Sequence, residues 1–599
     1  MTQHSALSTQ HSLVGVAVAT LAAAAYANAL ANGLVWDDPI VLERQLLAFR
    51  SLGDLFFPPA NIPQFSPDYY RPLTVLSYLV DRTVGGTSPF VFHLSVVLWH
   101  IATTYLVFRL GLALFAGLPE ALSASGFGAA LFAVHPIHTE SVAWGAGRSD
   151  VIAACFAVAA ALVYLQSTWS PLRRAAVAAA LVFIAMLAKE TAAALLLILP
   201  LGDLLLERTL TPAARPTGRA ERRRQRQVAA PAPSSLLCYA PFVVVVLVYL
   251  ALRRAALSSV LGGAKPLGAD VIVDAVAAVG VYISKLLVPI RQCAYISDLP
   301  TSPLGLLGSA ALIAGVLAAT AYAWRRNQRR VFFLLVWIGM TLAPSLAIVV
   351  KIPAAPIAER YLYLPSVGFC LLVGYLAAQV TERARARKLR VVVLIGCGLV
   401  LTIATIATVA RNAVWRSNLD LWQDTAAKNA TDALPMRSLA TAYQQLGDAA
   451  KATEHFQVAL QRRNDQSGLY LIYNNLGSIA MVDKRLDEAE QDYRAALAAN
   501  PNASECLFNL GLIALTRATD ASAAPDAARQ HEQALHARQL FEQALTLSPL
   551  DPDIHVGLGQ TLSTLGDGAG ARTHYERALQ LGLPAPTAAS VRKLLDELK

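Results

Sequence analysis

Charge is what this chain has least of. Only 15% of its 599 residues are Lys, Arg, Asp or Glu, against 55% hydrophobic, whereas a soluble protein carries nearer ~25% charged residues. That shortage excludes an ordinary soluble globular protein. Cysteine is scarce as well. The six, Cys155, Cys238, Cys293, Cys370, Cys397 and Cys506, are scattered, mostly in or beside apolar runs, with no CxxC or other metal-ligand spacing. This excludes a disulfide framework and a local zinc motif. A strongly basic leader is missing too. The first apolar run ends in "YANALANG", whose ANA imitates a signal-peptidase site, but the parity of the spans favours an uncleaved first helix. Two related halves are not visible in the pattern of apolar runs, which argues against a transporter. The net charge of +10 is gathered in short arginine blocks between apolar runs. Such blocks mark membrane topology rather than a nucleic-acid surface.

What is present is a series of apolar runs. A helix needs ~20 apolar residues to cross the hydrocarbon core. Candidates lie near 12–32, 89–116, 122–143, 150–168, 174–188, 191–206, 236–252, 304–323, 331–350, 361–380 and 391–410. The basic blocks at Arg173–Arg174, 208–226, 325–330 and 382–390 should all be cytoplasmic. An even number of crossings must then separate the second block from the third. The run 271–290, flanked by Asp270 and carrying Asp274 and Lys285, is therefore read as a helix lying against the outer interface. The expectation is eleven crossings with a cytoplasmic N-terminus. Segments 33–88, 143–150, 189–190, 253–303, 351–361 and all that follows about 411 are then outside. The unusual polar residues gather on that side, and they played no part in setting the topology.

From about 433 the pattern changes. "ATEHFQVAL", "AEQDYRAAL", "ARQLFEQAL" and "ARTHYERAL" repeat one phrase, with Phe456, Tyr493, Phe541 and Tyr575 in equivalent places. Gly477 and Gly559 each precede the aromatic by sixteen residues, and Gly511 is displaced by an insertion at about 518–535. A spacing near 34–37 residues with small residues at close helix contacts resembles the tetratricopeptide pattern, which stacks helix pairs into an α-solenoid. Such repeats bind peptides or partner proteins; self-association or a spacer role is the other reading. Residues 412–432 would connect the two parts, with Trp415 and Trp422 suited to packing or to an interface. The expected organisation is an all-α chain: a multi-span domain over 1–411, a connector over 412–432 and about four repeats over 433–599.

Charges at a membrane edge are costly, so each needs a reason. In "NGLVWDDPIVLE" Asp37 and Asp38 follow the first span. One acid could cap a short helix starting near Pro39. That leaves the second unexplained, and the other reading makes one carboxylate a general base. "FAVHPIHTESVAWGAGRSD" holds His135, His138, Glu140, Arg148 and Asp150. The two histidines would share a helix face and could bind a metal, but Pro136 stands between them and no third ligand is near. Packed histidines and a substrate site are the alternatives. Arg71 in "YYRPL", Lys189 in "AKET" and Arg360 in "AERYLYLPS" are cations on the outer side. They either snorkel beside headgroups or hold a phosphate. His93 and His100, within the second span, read as structural.

Together "WDDP", "YRPLT", "HPIHTESVAWGAGRSD", "AKE" and "AERYLYLPS", followed by the repeats, resemble the transmembrane and tetratricopeptide-repeat O-mannosyltransferases of the GT-C class. The resemblance covers nearly the whole chain in the same order. It implies a lipid-phosphate sugar as donor, a protein hydroxyl as acceptor, and catalysis on the extracytoplasmic face. It places the catalytic acids at Asp37 and Asp38. Donor binding would fall to Arg71, His135, His138, Glu140, Arg148, Asp150, Lys189, Glu190, Glu359 and Arg360. Eukaryotic members carry more repeats. The small solenoid and the Ala- and Arg-rich composition suit a bacterial inner-membrane version using a polyprenyl-phosphate sugar, with its repeats extracytoplasmic. No cofactor is required, although a divalent cation is compatible. The expected partners are the lipid donor, membrane lipid and a protein acceptor on the repeats, with no nucleic acid. Two rivals remain: a GT-C transferase acting on a lipid or glycan, and a non-enzymatic membrane-anchored scaffold.

Overall fold

The computed structural model describes residues 3–42, 46, 49, 51–58, 70–166, 169–210, 236–257, 269–347, 356–384, 387–462, 466–520 and 527–598. Most of the basic block 208–226 lies outside the described residues, as do parts of the outer segments 33–88, 253–303 and 351–361 and of the insertion at 518–535. The chain divides into two compact units, Met1–Lys428 and Asn429–Lys599. An isolated antiparallel bridge joins Ile296 and Ile357.

The first unit is an integral membrane domain. In chain order it contains α1 (Gln3–Ala25), α2 (Pro72–Gly85), α3 (Pro89–Leu114), α4 (Ala121–Val134), α5 (Arg148–Gln166), α6 (Pro171–Ala188) and α7 (Leu195–Leu210). Then come α8 (Ala240–Ala256), α9 (Ala269–Leu287), α10 (Pro303–Arg325), α11 (Arg329–Leu342), α12 (Tyr363–Arg383), α13 (Arg387–Asn412) and α14 (Asn418–Lys428). Proline opens α2, α3, α6 and α10, where its fixed φ suits the first turn and its missing N–H costs nothing. Among the described residues eight helices are long and apolar enough to cross a membrane. They are α1, α3, α5, α6, α8, α10, α12 and α13, some with a flanking turn. The expected positions also include α4, apolar but only 14 residues long, and α7 and α11 at 16 and 14 residues. Unaided, these fall short of the ~20 residues a span needs.

Two local outcomes differ from a reading of apolar runs alone. The run 122–143 is not one helix. It stops at Val134, turns through Pro136–His138 and resumes as Thr139–Ala143. Pro136 has no N–H and pushes His135 to an extended φ/ψ of −68°/121°, which ends the helix. The segment 33–88, expected outside, contains α2, and Arg71 and Thr74 at its start line the cavity described below. Helix α9 is not among the eight, because Asp270, Asp274 and Lys285 interrupt it. It buries Ala278, Tyr282 and Leu286 against Ile137, Leu342, Ile357 and Leu362 while Ile272 and Leu287 stay exposed. Helix α13 exposes a long row of Leu, Val and Ile, and α10 exposes Leu304, Leu307 and Leu317, as expected of faces turned to lipid.

The second unit is a run of helix pairs: α15 (Ala433–Gln445) with α16 (Ala449–Leu460), α17 (Gln466–Val482) with α18 (Leu486–Ala499), α19 (Ser504–Thr519) with α20 (Ala527–Leu547), and α21 (Pro552–Thr564) with α22 (Gly568–Leu581). A last helix, α23 (Ala585–Glu597), covers the end with Val591 packed on Tyr575. The repeated aromatics Phe456, Tyr493, Phe541 and Tyr575 are all buried. Each ring from Tyr493 onward lies against a glycine of the preceding helix. A Cβ at Gly477, Gly511 or Gly559 would meet the ring of Tyr493, Phe541 or Tyr575 at 2.9, 2.8 or 2.5 Å. The glycine and the aromatic are therefore one packing unit, and Gly511 belongs to it despite the insertion. The segment after the last span folds with the first unit: Trp415 is wholly buried and Trp422 is 4% exposed, so both tryptophans pack.

Candidate active site

Helix ends converge at one side of the membrane unit around a cavity of about 370 Å³, within the range of small-molecule sites. Asp37, Arg71, Thr74, Tyr78, Trp144, Ser149, Lys189, Arg360 and Tyr361 line it, along with Ile40, Val41, Val75 and Ala146. They come from the turn after α1, the start of α2, the turn before α5, the stop of α6 and the turn before α12.

The adjacent acids have different surroundings. Asp38 is 2% exposed. Its carboxylate accepts N–H bonds from Ala146 at 2.7 Å and Val35 at 3.2 Å. Burial pushes its carboxyl up to about 7, against the pull of those two donors and of Arg148. Asp37 occupies the N-cap position of the short Asp38–Ile40 turn but makes no side-chain cap bond. It is exposed and lines the cavity. The surrounding protein disfavours its charge and raises its carboxyl above the ordinary value, while Arg360 opposes the rise. The helix-capping explanation thus fails for Asp37, and Asp38 is a structural acceptor.

Among the described residues three cations line the cavity, each seated on an acid behind it. Arg71 makes a two-pronged contact with Glu190, Nε–Oε2 at 3.3 Å and Nη2–Oε1 at 3.0 Å. Burial would raise the Glu190 carboxyl, but Arg71 outweighs it and holds it at about 2. Lys189 reaches Asp150 at 2.5 Å. Burial lowers its ammonium to about 8, with Asp150 opposing and Arg71 and Arg360 adding to the fall. Arg360 pairs with Glu140 through its guanidinium, and its backbone N–H donates to the same carboxylate at 3.0 Å. Lys189 and Arg360 both lie over the Tyr361 ring, 4.5 and 5.0 Å from its centroid. Such contacts favour cations over an aromatic face and keep these two side by side.

The other expected site residues lie outside the cavity lining. Arg148 is fully buried. It pairs with Asp81, donates to Gly145 O and Phe92 O at 3.1 Å each, and lies 4.4 Å over the Tyr78 ring. Its guanidinium is engaged inside the protein. His135 meets Leu286 O through Nε2 at 3.3 Å and accepts from Ile137 N–H. His138 meets Ser366 Oγ at 2.7 Å and packs on Phe132 and Tyr363. Glu359 accepts from Lys285 at 2.6 Å and from Cys293 N–H at 3.1 Å, which fastens α9 beside Arg360. His93 and His100 are buried against Gly33 O, Tyr363 and Ala133 O. Glu140, Asp150 and Glu190 support the cations from behind.

Thr74, Tyr78, Trp144, Ser149 and Tyr361 were not singled out from the sequence. Thr74, Trp144, Ser149 and Tyr361 stand within the quoted motifs and could have been found there. The glycines of "WGAGRSD" have steric reasons. A Cβ on Gly145 would lie 3.0 Å from Asp38 Oδ1, and one on Gly147 would lie 2.5 Å from Glu140 O and 3.0 Å from Ser141 Cα. Gly147→Ala should therefore lower stability by ~1–3 kcal/mol, the usual cost of overpacking, read as a fall in the thermal unfolding midpoint of purified protein.

The tetratricopeptide-repeat family model matches residues 437–504, 474–535 and 526–586. The chain is 25% identical over 601 residues to human protein O-mannosyl-transferase TMTC3, covering 93% of this chain and 63% of that protein. It is 35% identical over 204 residues to Drosophila melanogaster protein O-mannosyl-transferase Tmtc1, covering 32% and 23%. The chain thus spans just under two thirds of the length of the human relative. A solved tetratricopeptide protein of Thermus thermophilus covers 28% of this chain and 80% of its own at 19% identity, with a TM-score of 0.23.

Proposed function

We propose that this membrane protein is a glycosyltransferase that moves a sugar, mannose by the names of its relatives, from a polyprenyl-phosphate donor to Ser or Thr hydroxyls of proteins at the extracytoplasmic face. The observation that carries the proposal is a cavity in which the exposed carboxylate of Asp37 shares the lining with Arg71, Lys189 and Arg360.

The chemistry follows from those charges. The donor's tail keeps it in the bilayer, so its headgroup must react at the membrane boundary. Arg71, Lys189 and Arg360 meet the phosphate with charge-assisted hydrogen bonds. The acceptor hydroxyl oxygen attacks the anomeric carbon and a new C–O bond forms. The bond from that carbon to the phosphate oxygen breaks, and its electron pair leaves on the phosphate, where the cations stabilise it. Asp37 takes the hydroxyl proton. One displacement inverts the anomeric centre. Asp38 holds the turn that carries Asp37. The repeats bind the acceptor protein, and their tether to the same chain raises its effective concentration.

A transfer assay tests the proposal, using purified full-length protein, radiolabelled polyprenyl-phosphate mannose and a serine- and threonine-rich peptide. The expected result is label in the peptide that is lost in the Asp37→Asn/Asp38→Asn double variant. Label in lipid or glycan instead would move the acceptor, and transfer independent of both acids would overturn the mechanism. Arg71→Gln is the mildest probe of the cation set, because the Arg71–Glu190 pair is partly exposed and contributes little to stability. Losing one charged contact to the leaving phosphate should lower kcat/KM about tenfold or more, with part of the loss in kcat because the contact strengthens as charge develops. An unchanged kcat/KM would remove Arg71 from the phosphate site.

A further inference from the structure

We infer that Asn418 and Trp422, on the helix that follows the last span, are positioning residues that aim Asp37 into the cavity. The inference rests on the reading of Asp37 as the base.

The observation behind it is a strained residue. Trp36 has a φ of +55°, a left-handed conformation that is uncommon for a bulky side chain and costs ~1–3 kcal/mol. Such a conformation persists only where its surroundings impose it. Here it turns the chain so that Asp38 drops onto two backbone N–H groups while Asp37 stays in the cavity lining.

What imposes it comes from α14 and the turn before it. The Trp36 N–H donates to Asn418 Oδ1 at 2.8 Å. The Trp36 indole stacks on Trp144 at 5.0 Å and 16°, and Trp422 meets it edge-on at 5.2 Å and 70°. Trp144 stacks in turn on the buried Trp415 at 5.8 Å and 19°. Three residues before Trp36, the Gly33 N–H donates to Arg416 O at 2.9 Å. The support is itself anchored: Arg411 pairs with Asp424 at 2.5 Å, and Lys428 reaches Asp424 at 2.6 Å and Gln292 O at 2.8 Å. One face of this aromatic stack, Trp144, lines the cavity, so the clamp and the site share a wall.

Asn418→Ala removes the acceptor for the strained N–H. It should lower kcat by roughly 10–100-fold, the scale of an ~1 Å misplacement of a reacting group, with the donor KM unchanged. Asn418→Asp keeps an oxygen in place and should restore most of the rate. In an Asp37→Asn background Asn418→Ala should add no further loss, because its effect passes through Asp37. Trp422→Leu, the second variant, should show the same signature if Asn418→Ala is poorly folded. The assay reads the full chain with radiolabelled polyprenyl-phosphate mannose. Wild-type kcat in both single variants, with Asp37→Asn strongly slowed, would overturn the clamp and leave Asp37 as base. Losses that multiply in the Asp37→Asn background would also overturn it, by showing a general structural defect. Full turnover in Asp37→Asn would remove the base and the clamp's purpose together.

Discussion

Asp37→Asn is expected to cut kcat by roughly 10²–10⁴-fold, the usual worth of a positioned general base, and to leave the unfolding midpoint unchanged. The two halves of that expectation have separate causes. The rate falls because an amide cannot take the acceptor's proton. The midpoint holds because the Asp37 side chain makes no cap bond and lies in the cavity lining. Asp38 has the opposite arrangement, and Asp38→Ala would leave the Val35 and Ala146 N–H groups without their acceptor. The pH profile of the unmodified protein supplies a second reading. The protein packed around the cavity disfavours the Asp37 charge and raises its carboxyl, and Arg360 holds back the rise, so the acid limb of kcat/KM should lie above the ordinary aspartate value of ~3.9. Arg360→Gln removes the opposing charge and should move that limb to still higher pH. Wild-type turnover in Asp37→Asn would remove it from the role.

Arg148→Met is expected to give the largest loss of stability, about 3–5 kcal/mol, the cost of stripping one partner from a buried ion pair. Arg148 is wholly enclosed, and its Asp81 partner is 6% exposed. The substitution leaves that carboxylate without its cation and frees Gly145 O and Phe92 O. Arg148→Lys should recover only part of the loss, since an ammonium cannot span the three acceptors of the planar fork. Removing both charges, Arg148→Met with Asp81→Leu, should be less harmful than Arg148→Met alone, because no buried charge is then unpaired. Thermal unfolding of the purified variants reads all three. A midpoint in Arg148→Met equal to the parent's would contradict the structural role.

The helical class and the repeat phrase were legible in the sequence, because both are written in local periodicity. Asp270, Asp274 and Lys285 likewise marked α9 as unlike its neighbours, since charge within an apolar run is visible without a partner. The site's neighbourhood was legible for the same reason: a polar residue at a membrane edge announces its own cost. Which of those residues faces the cavity was not legible. Arg148 and Arg360 look alike in sequence, yet one is sealed on Asp81 and the other lines the cavity while pairing with Glu140, 220 residues away. Asp37 and Asp38 are adjacent, and Asp38 is claimed in part by Ala146, 108 residues on. Asn418 carried no signal at all, being 382 residues from the N–H it accepts. The sequence by itself determined where charge would be expensive and which segments would be helical. Only the tertiary structure decided which charges neutralise one another inside and which line the cavity, because burial and partner choice are set by contacts between segments far apart in the chain.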